Sequence, residues 1–151
     1  MKKTYCLNQK SSKPWTNLFD ADEAMVLQSD DDEQLVLVVQ FTAQVRIWGV
    51  NFSGPKTDAR PTIIKTFINQ PNMTFGDVDD VKPTQILKLT ADDMDKNTIT
   101  TLNFVRFQRV NSIVLFIEEN AGAEETILSR LSLIGQPTEE MDIKAWAPPK
   151  G

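Results

Sequence analysis

The chain has 151 residues, 40% of them hydrophobic, with 21 acidic against 16 basic side chains and a formal net charge of -5. That size suits one domain with one substantial core, and the negative balance excludes nucleic acid and anionic membrane surfaces as natural partners, since both would repel it. Histidine is absent and cysteine occurs once, which excludes a Ser-His-Asp or Cys-His apparatus and the usual zinc ligand sets.

The lone Cys6 cannot form an internal disulfide, and no basic start leads into an apolar run near the N-terminus. A secreted disulfide framework and a signal peptide are therefore not expected, and a reducing compartment is. No apolar stretch approaches the roughly 20 residues that cross a bilayer. The expectation is a soluble monomer, cytoplasmic and also nuclear.

In chain order, residues 1–17 read as a flexible N-terminal segment, basic through Lys2, Lys3, Lys10 and Lys13. From Asp20 to Glu33 the chain holds Asp20, Asp22, Glu23, Asp30, Asp31, Asp32 and Glu33 with no Lys or Arg between them, which predicts a locally negative surface. A first strand is predicted at Ala24–Gln28. Short β-type runs then recur about every ten residues, the spacing of an all-β sandwich. Gln34–Phe41 is apolar and β-branched. Gln44–Ser53 alternates first through Val45 and Ile47, then through Trp48, Val50 and Phe52, and this change of phase predicts a bulge near Gly49.

Further strands are predicted at Thr62–Asn69, Thr84–Thr90 and Ile127–Ile134, with two more on either side of a turn at Asn111-Ser112. The total is about eight, which fits an all-β jelly-roll β-sandwich spanning residues 18–136. Asp77, Asp79 and Asp80 and, later, Asp92, Asp93 and Asp95 sit between strands as solvated loops, the second group with Thr90 as a possible cap for one helical turn. Residues 137–151, with Pro137, Pro148 and Pro149, read as a flexible tail.

Asp30-Asp31-Asp32-Glu33 is the strongest candidate for hard-cation ligation, but its spacing fits no EF-hand loop. A solvated acidic loop or an acidic contact surface is the expected role. Carboxylates with no shown pairing across a cleft do not make a glycosidase, so no catalytic residue, metal ligand or cofactor is expected. Cys6 lies in a basic segment that could lower its thiol pKa, yet it lacks a Cys-x-x-Cys partner, and a structural role is expected. Trp48 reads as a core residue. Trp15 and Trp146 fall in the terminal segments and suit either docking of those segments or contact with a partner. Arg46, Lys65, Arg106 and Arg109 read as the solvated side of a sheet, with a ligand-reading face as the alternative.

The run Val105-Arg106-Phe107-Gln108-Arg109-Val110-Asn111-Ser112, followed by Phe116, Asn120, Gly122 and Glu124-Glu125-Thr126, closely resembles the PITH domain of proteasome-interacting thioredoxin-like proteins. Further pieces follow in family order: Cys6-Leu7-Asn8, Ser29 to Leu35, Phe52-Ser53-Gly54-Pro55, Phe67 to Pro71 with Phe75, Pro83-Thr84-Gln85, and Ile134-Gly135. The resemblance covers about Leu27 to Gly135. It implies a galactose-binding-like jelly roll, similar also to the Doc-type domain of the anaphase-promoting complex, that acts without catalysis as a docking module for the 26S proteasome regulatory particle. The thioredoxin-like members carry a Trp-Cys-Gly-Pro-Cys motif that this sequence lacks, so disulfide chemistry is not carried over and the stand-alone type is expected. Asp30, Asp31, Asp32, Glu33, Trp15 and Trp146 are the candidate partner-binding residues. The competing reading is a small-ligand or carbohydrate-binding jelly roll, assisted by calcium at the acidic loop.

Overall fold

Apolar residues run unbroken from Leu35 to Val39 and from Ile113 to Ile117, and every one of them is buried. Such runs do not alternate because both faces of their strands are covered. Leu35, Leu37, Val39, Ile113, Leu115 and Ile117 enter one hydrophobic cluster. Val36, Val38, Val114 and Phe116 enter another, on the opposite face.

The computed structural model describes residues 4–138. Its strands are β1 (Tyr5–Leu7), β2 (Leu27–Gln28), β3 (Leu35–Ser53), β4 (Pro61–Ile68), β5 (Gln85–Lys88), β6 (Thr100–Thr101), β7 (Val110–Asn120), β8 (Ile127–Leu128) and β9 (Arg130–Pro137). All pair antiparallel, in the order β1-β3-β7-β4-β5, with β6 and β9 joined to β3 and with β2 joined to β8. The fold is the expected all-β jelly-roll sandwich.

β3 builds both layers. Its first half, through Gln40, pairs with β1 and β7, while Val45 onward pairs with β9, and the register shifts between Gln40 and Val45. A long strand that bends and changes partners is how a sandwich turns a corner. A second shift lies between Ile47 and Gly49, at the predicted bulge. Gly135 permits the closest approach on β9, since a Cβ there would stand 2.1 Å from the Arg46 carbonyl oxygen. Between the layers Phe52, Ile64, Phe107 and Leu131 complete the main core. The outer face of the sheet is roofed by the segment 69–83, which contributes Met73 and Val78, with Phe75 and Val81 partly buried, and by Tyr5 and Leu7 of β1.

Several expectations are corrected. Gln34–Phe41 and Gln44–Ser53 belong to one strand, because the chain bends between them and resumes pairing with β7, in a shifted register, at Val45 and Val110. The strand expected just before Asn111 does not form: Phe104–Phe107 is a 3₁₀ turn, with Phe107 buried and Val105 80% exposed. Asn111-Ser112 is no turn either and lies inside β7, where both N–H groups donate to Asn69 Oδ1, at 2.7 and 3.4 Å. Ile127–Ile134 divides at Ser129, whose N–H donates to the Ser53 carbonyl, leaving β8 to pair with β2 and β9 with β3. Thr90 does cap a helical turn, Ala91–Met94, through hydrogen bonds of its N–H and hydroxyl to Asp93 Oδ2 at 2.7 and 3.1 Å.

The N-terminal segment, expected to be flexible, is built into the sandwich from Thr4 onward. β1 pairs with Val36, Leu37 and Val38, and Trp15–Phe19 forms a 3₁₀ turn whose Leu18 is fully buried. The Tyr5 hydroxyl fastens β1 to the roof by donating to the Met73 carbonyl at 2.8 Å. Burial first, and the nearby Asp77 second, raise the Tyr5 pKa above its usual value.

Candidate partner-binding site

The acidic loop at residues 30–33 lies between Ser29, which bridges to Gln9, and the start of β3. Asn8 holds its inner side. Asn8 has a φ of 69°, a left-handed conformation that asparagine tolerates better than most residues. Its Nδ2 donates to Asp32 Oδ1 and to the Gln34 carbonyl, each at 2.8 Å. Its Oδ1 accepts from the Asp31 N–H at 3.1 Å, and its carbonyl from the Asp30 N–H at 2.9 Å. Asp32 Oδ1 also accepts from the Gln34 N–H at 3.0 Å. Thr126 holds the other side: its N–H donates to Ser29 Oγ at 2.8 Å and its hydroxyl to the Glu33 carbonyl at 2.7 Å.

This arrangement separates the candidate residues by role. Asp32 is spent on the loop's own shape, and Glu33 is half-buried with its carbonyl engaged. Asp30 and Asp31 are exposed. Beside them a groove of about 360 Å³ is lined by Asn8, Asp31, Asp32, Gln34 and Phe75. Phe75 is held edge-on against Phe116, with ring centroids 6.2 Å apart. A rigid aromatic wall next to free carboxylates suits a cationic or mixed peptide surface. Among the described residues no three metal-ligating side chains converge.

Trp15 does not line that groove. Its ring packs against the main core and meets Phe19 edge-on at 6.1 Å, and its backbone N–H donates to Gln9 Oε1 at 2.8 Å. Of the two roles left open for Trp15, the geometry provides intramolecular docking. Trp146 lies outside the described residues. Trp48, expected in the core, is 40% exposed and stands edge-on to Phe104 at 6.4 Å. Cys6, for which a structural role is expected, packs against the core, and burial pushes its thiol pKa up to about 12 where the nearby lysines could have lowered it.

The cations divide as well. Lys65 pairs with Glu118 at 3.0 Å on the sheet surface, and Arg106 Nη1 donates to the Thr84 carbonyl at 2.8 Å. Arg46 and Arg109 line a separate cavity with Gln44, Gln108 and Thr138. Asn8 and Thr126 are the contributors that sequence reading missed as site residues. The signal available was the tolerance of asparagine for left-handed backbone, which is too common to single out one position.

The PITH domain family matches residues 1–147. Thioredoxin-like protein 1 of Schizosaccharomyces pombe is 40% identical over 87% of this chain and 47% of its own length. PITH domain-containing protein 1 of Danio rerio is 30% identical over 92% of this chain and 68% of its own. For PITH domain-containing protein 1 of Homo sapiens the figures are 28%, 92% and 67%. The chain thus spans about half the length of the first of these relatives and about two thirds of the others, and none of the three carries a catalytic name.

Among solved structures, a family 32 CBM from C. perfringens NanJ in complex with galactose superposes with a TM-score of 0.62 at 11% identity, covering 86% of this chain and 90% of that one. A pectin binding carbohydrate binding module superposes at 0.59 and 12% identity, covering 86% and 87%. At such identities the likeness establishes the jelly-roll fold alone. With a family match over nearly the whole chain, relatives at up to 40% identity and this fold, the chain belongs to the PITH domain family.

Proposed function

We propose that the chain is a non-enzymatic protein-interaction module that docks, as a monomer in cytoplasm and nucleus, on the 26S proteasome regulatory particle through its acidic loop. The observation that carries this reading is the preformed loop itself. Asp30 and Asp31 are exposed beside the Phe75 groove, while Asn8 and Thr126 tie down the backbone beneath them. A loop already held in shape loses little conformational entropy on binding. Exposed carboxylates steer a basic partner surface into register. The choice of the proteasome as partner rests on family resemblance.

The test is capture of 26S proteasome from lysate on tagged protein, with an Asp30→Lys/Asp31→Lys double variant beside the wild type. Both side chains are exposed, so the melting temperature should hold. Wild type should retain proteasome subunits at low salt and release them as salt rises past about 0.1 M, where screening acts within roughly 10 Å. The double variant should retain far less. Equal retention by both proteins removes the acidic loop as the contact, and no retention by wild type removes the proteasome reading. A galactose titration of the same protein tests the sugar-binding alternative, for which only the fold likeness speaks.

A further inference from the structure

Arg46 and Arg109 come together without an acidic partner. Val45 pairs with Val110 across β3 and β7, and Arg46 with Gln136 across β3 and β9. The backbone thereby brings both arginines to one cavity of about 170 Å³, completed by Gln44, Gln108 and Thr138. Its walls are held in place: the Thr138 hydroxyl donates to Gln44 Oε1 at 3.2 Å, and Gln108 Nε2 donates to the Phe104 carbonyl at 2.9 Å. Among the described residues the ion pairs use Lys10, Lys65 and Lys96, and none uses an arginine. Arg46 Nε is shut off from solvent and has no hydrogen-bond partner among those residues. A buried, charged donor without an acceptor is costly and marks a place where an acceptor belongs.

We propose that this cavity binds a carboxylate group carried by an acidic peptide segment of a partner protein. The guanidinium fork matches a carboxylate in two parallel hydrogen bonds. In a chain of net charge -5 the cavity is also a local reversal of sign that would concentrate an anion. The peptide character follows from the docking reading, in which this chain meets a protein surface. The cavity lies on the outward face of β3, where Gln44 and Arg46 alternate with the inward Val45 and Ile47, so a segment of a partner can lay an acidic side chain into it from solvent. This inference rests on the docking reading above and adds a second, oppositely charged contact to it.

The experiment uses the full chain labelled with ¹⁵N and a fluorescent peptide of alternating Glu and Leu, with a Gln-Leu peptide as control. Fluorescence anisotropy should show binding of the Glu peptide that weakens about tenfold or more in Arg109→Gln, whose side chain is exposed and whose replacement should leave the fold intact. The Arg46 Nε–Hε resonance should shift on adding the Glu peptide and stay in place with the Gln control. Equal affinity of wild type and Arg109→Gln, or equal affinity for both peptides, would overturn the site. Inorganic phosphate that moves the Arg46 signal and displaces the peptide at lower concentration would reassign it to phosphate. A shift of that signal on Glu139→Gln/Glu140→Gln substitution, with no peptide present, would give it to the chain's own carboxylates. Proteasome capture is read separately. Lost peptide binding with capture intact removes only this site, and peptide binding without capture removes only the proteasome.

Discussion

Asn69 ends β4 with a φ of 60°, and its side chain closes three backbone groups of the neighbouring strand's approach. Oδ1 accepts from Asn111 and Ser112, and Nδ2 donates to the Arg109 carbonyl at 3.0 Å. Replacing it with alanine leaves those groups unmet and puts a Cβ in left-handed backbone, so Asn69→Ala should cost about 2–3 kcal/mol in urea unfolding. Asn69→Gly, which relieves the backbone term, should cost less. Cys6 gives a pH dependence. Its thiol is raised from 9.0 to about 12 in the folded protein, so the unfolded chain releases this proton first as pH rises. The contribution to stability is then complete below about pH 9 and is lost between there and about pH 12. Tyr5, also raised, acts in the same direction above its ordinary value of 10.0. Cys6→Ala should flatten the lower part of that loss in thermal melts across the range, and the native thiol should resist thiol reagents at pH 8.

At the scale of elements, the segment 69–83 and the 3₁₀ turn at 104–107 make a useful contrast. Both look like connections, yet one roofs a buried cluster and the other, though it buries Phe107, presents Phe104 and Val105 to water. Met73 is 3% exposed beneath Val36, Val38, Phe67 and Phe116, whereas Val105 is 80% exposed. Met73→Ala should therefore lower the unfolding free energy by about 2–5 kcal/mol. Val105→Ser should stay within about 0.5 kcal/mol. Urea titration of both variants checks the pair, and a small effect at Met73 would mean that the roof contributes little to the outer core.

For the whole molecule, the charge is distributed as two features of opposite sign. The acidic loop is tied to Asn8 and Thr126, and the arginine cavity sits where β3, β7 and β9 meet. Among the described residues no three carboxylates converge, so millimolar Ca²⁺ should leave the melting temperature unchanged relative to EDTA. A true site present at 100 times its dissociation constant would add about 2.7 kcal/mol, a rise of several degrees. Such a rise, abolished by Asp31→Asn/Asp32→Asn, would revive the calcium-assisted reading.

The all-β class, the bulge near Gly49 and the family were legible in the chain itself, because strand-length apolar runs and spaced motifs are local properties. So was the negative stretch that became the acidic loop. The motif residues told less about the site than about the fold: Asn69, Arg106 and Asn120 turn out to hydrogen-bond backbone carbonyls of the segments that join the strands. Tertiary structure alone decided that Leu35–Val39 and Ile113–Ile117 are covered on both faces, since that depends on a roof supplied from residues 69–83. It alone turned Trp15 inward and shut Cys6 away from its lysines. It also separated Asp30 and Asp31, exposed and free of the loop's own bonding, from Asp32, whose carboxylate is hydrogen-bonded within the loop, and from Glu33, half-buried with its backbone carbonyl engaged. The loop and the arginine pair are fixed by partners distant in sequence, Asn8 for the loop and Val110 for the approach of Arg46 to Arg109, and no local pattern encodes such a pairing.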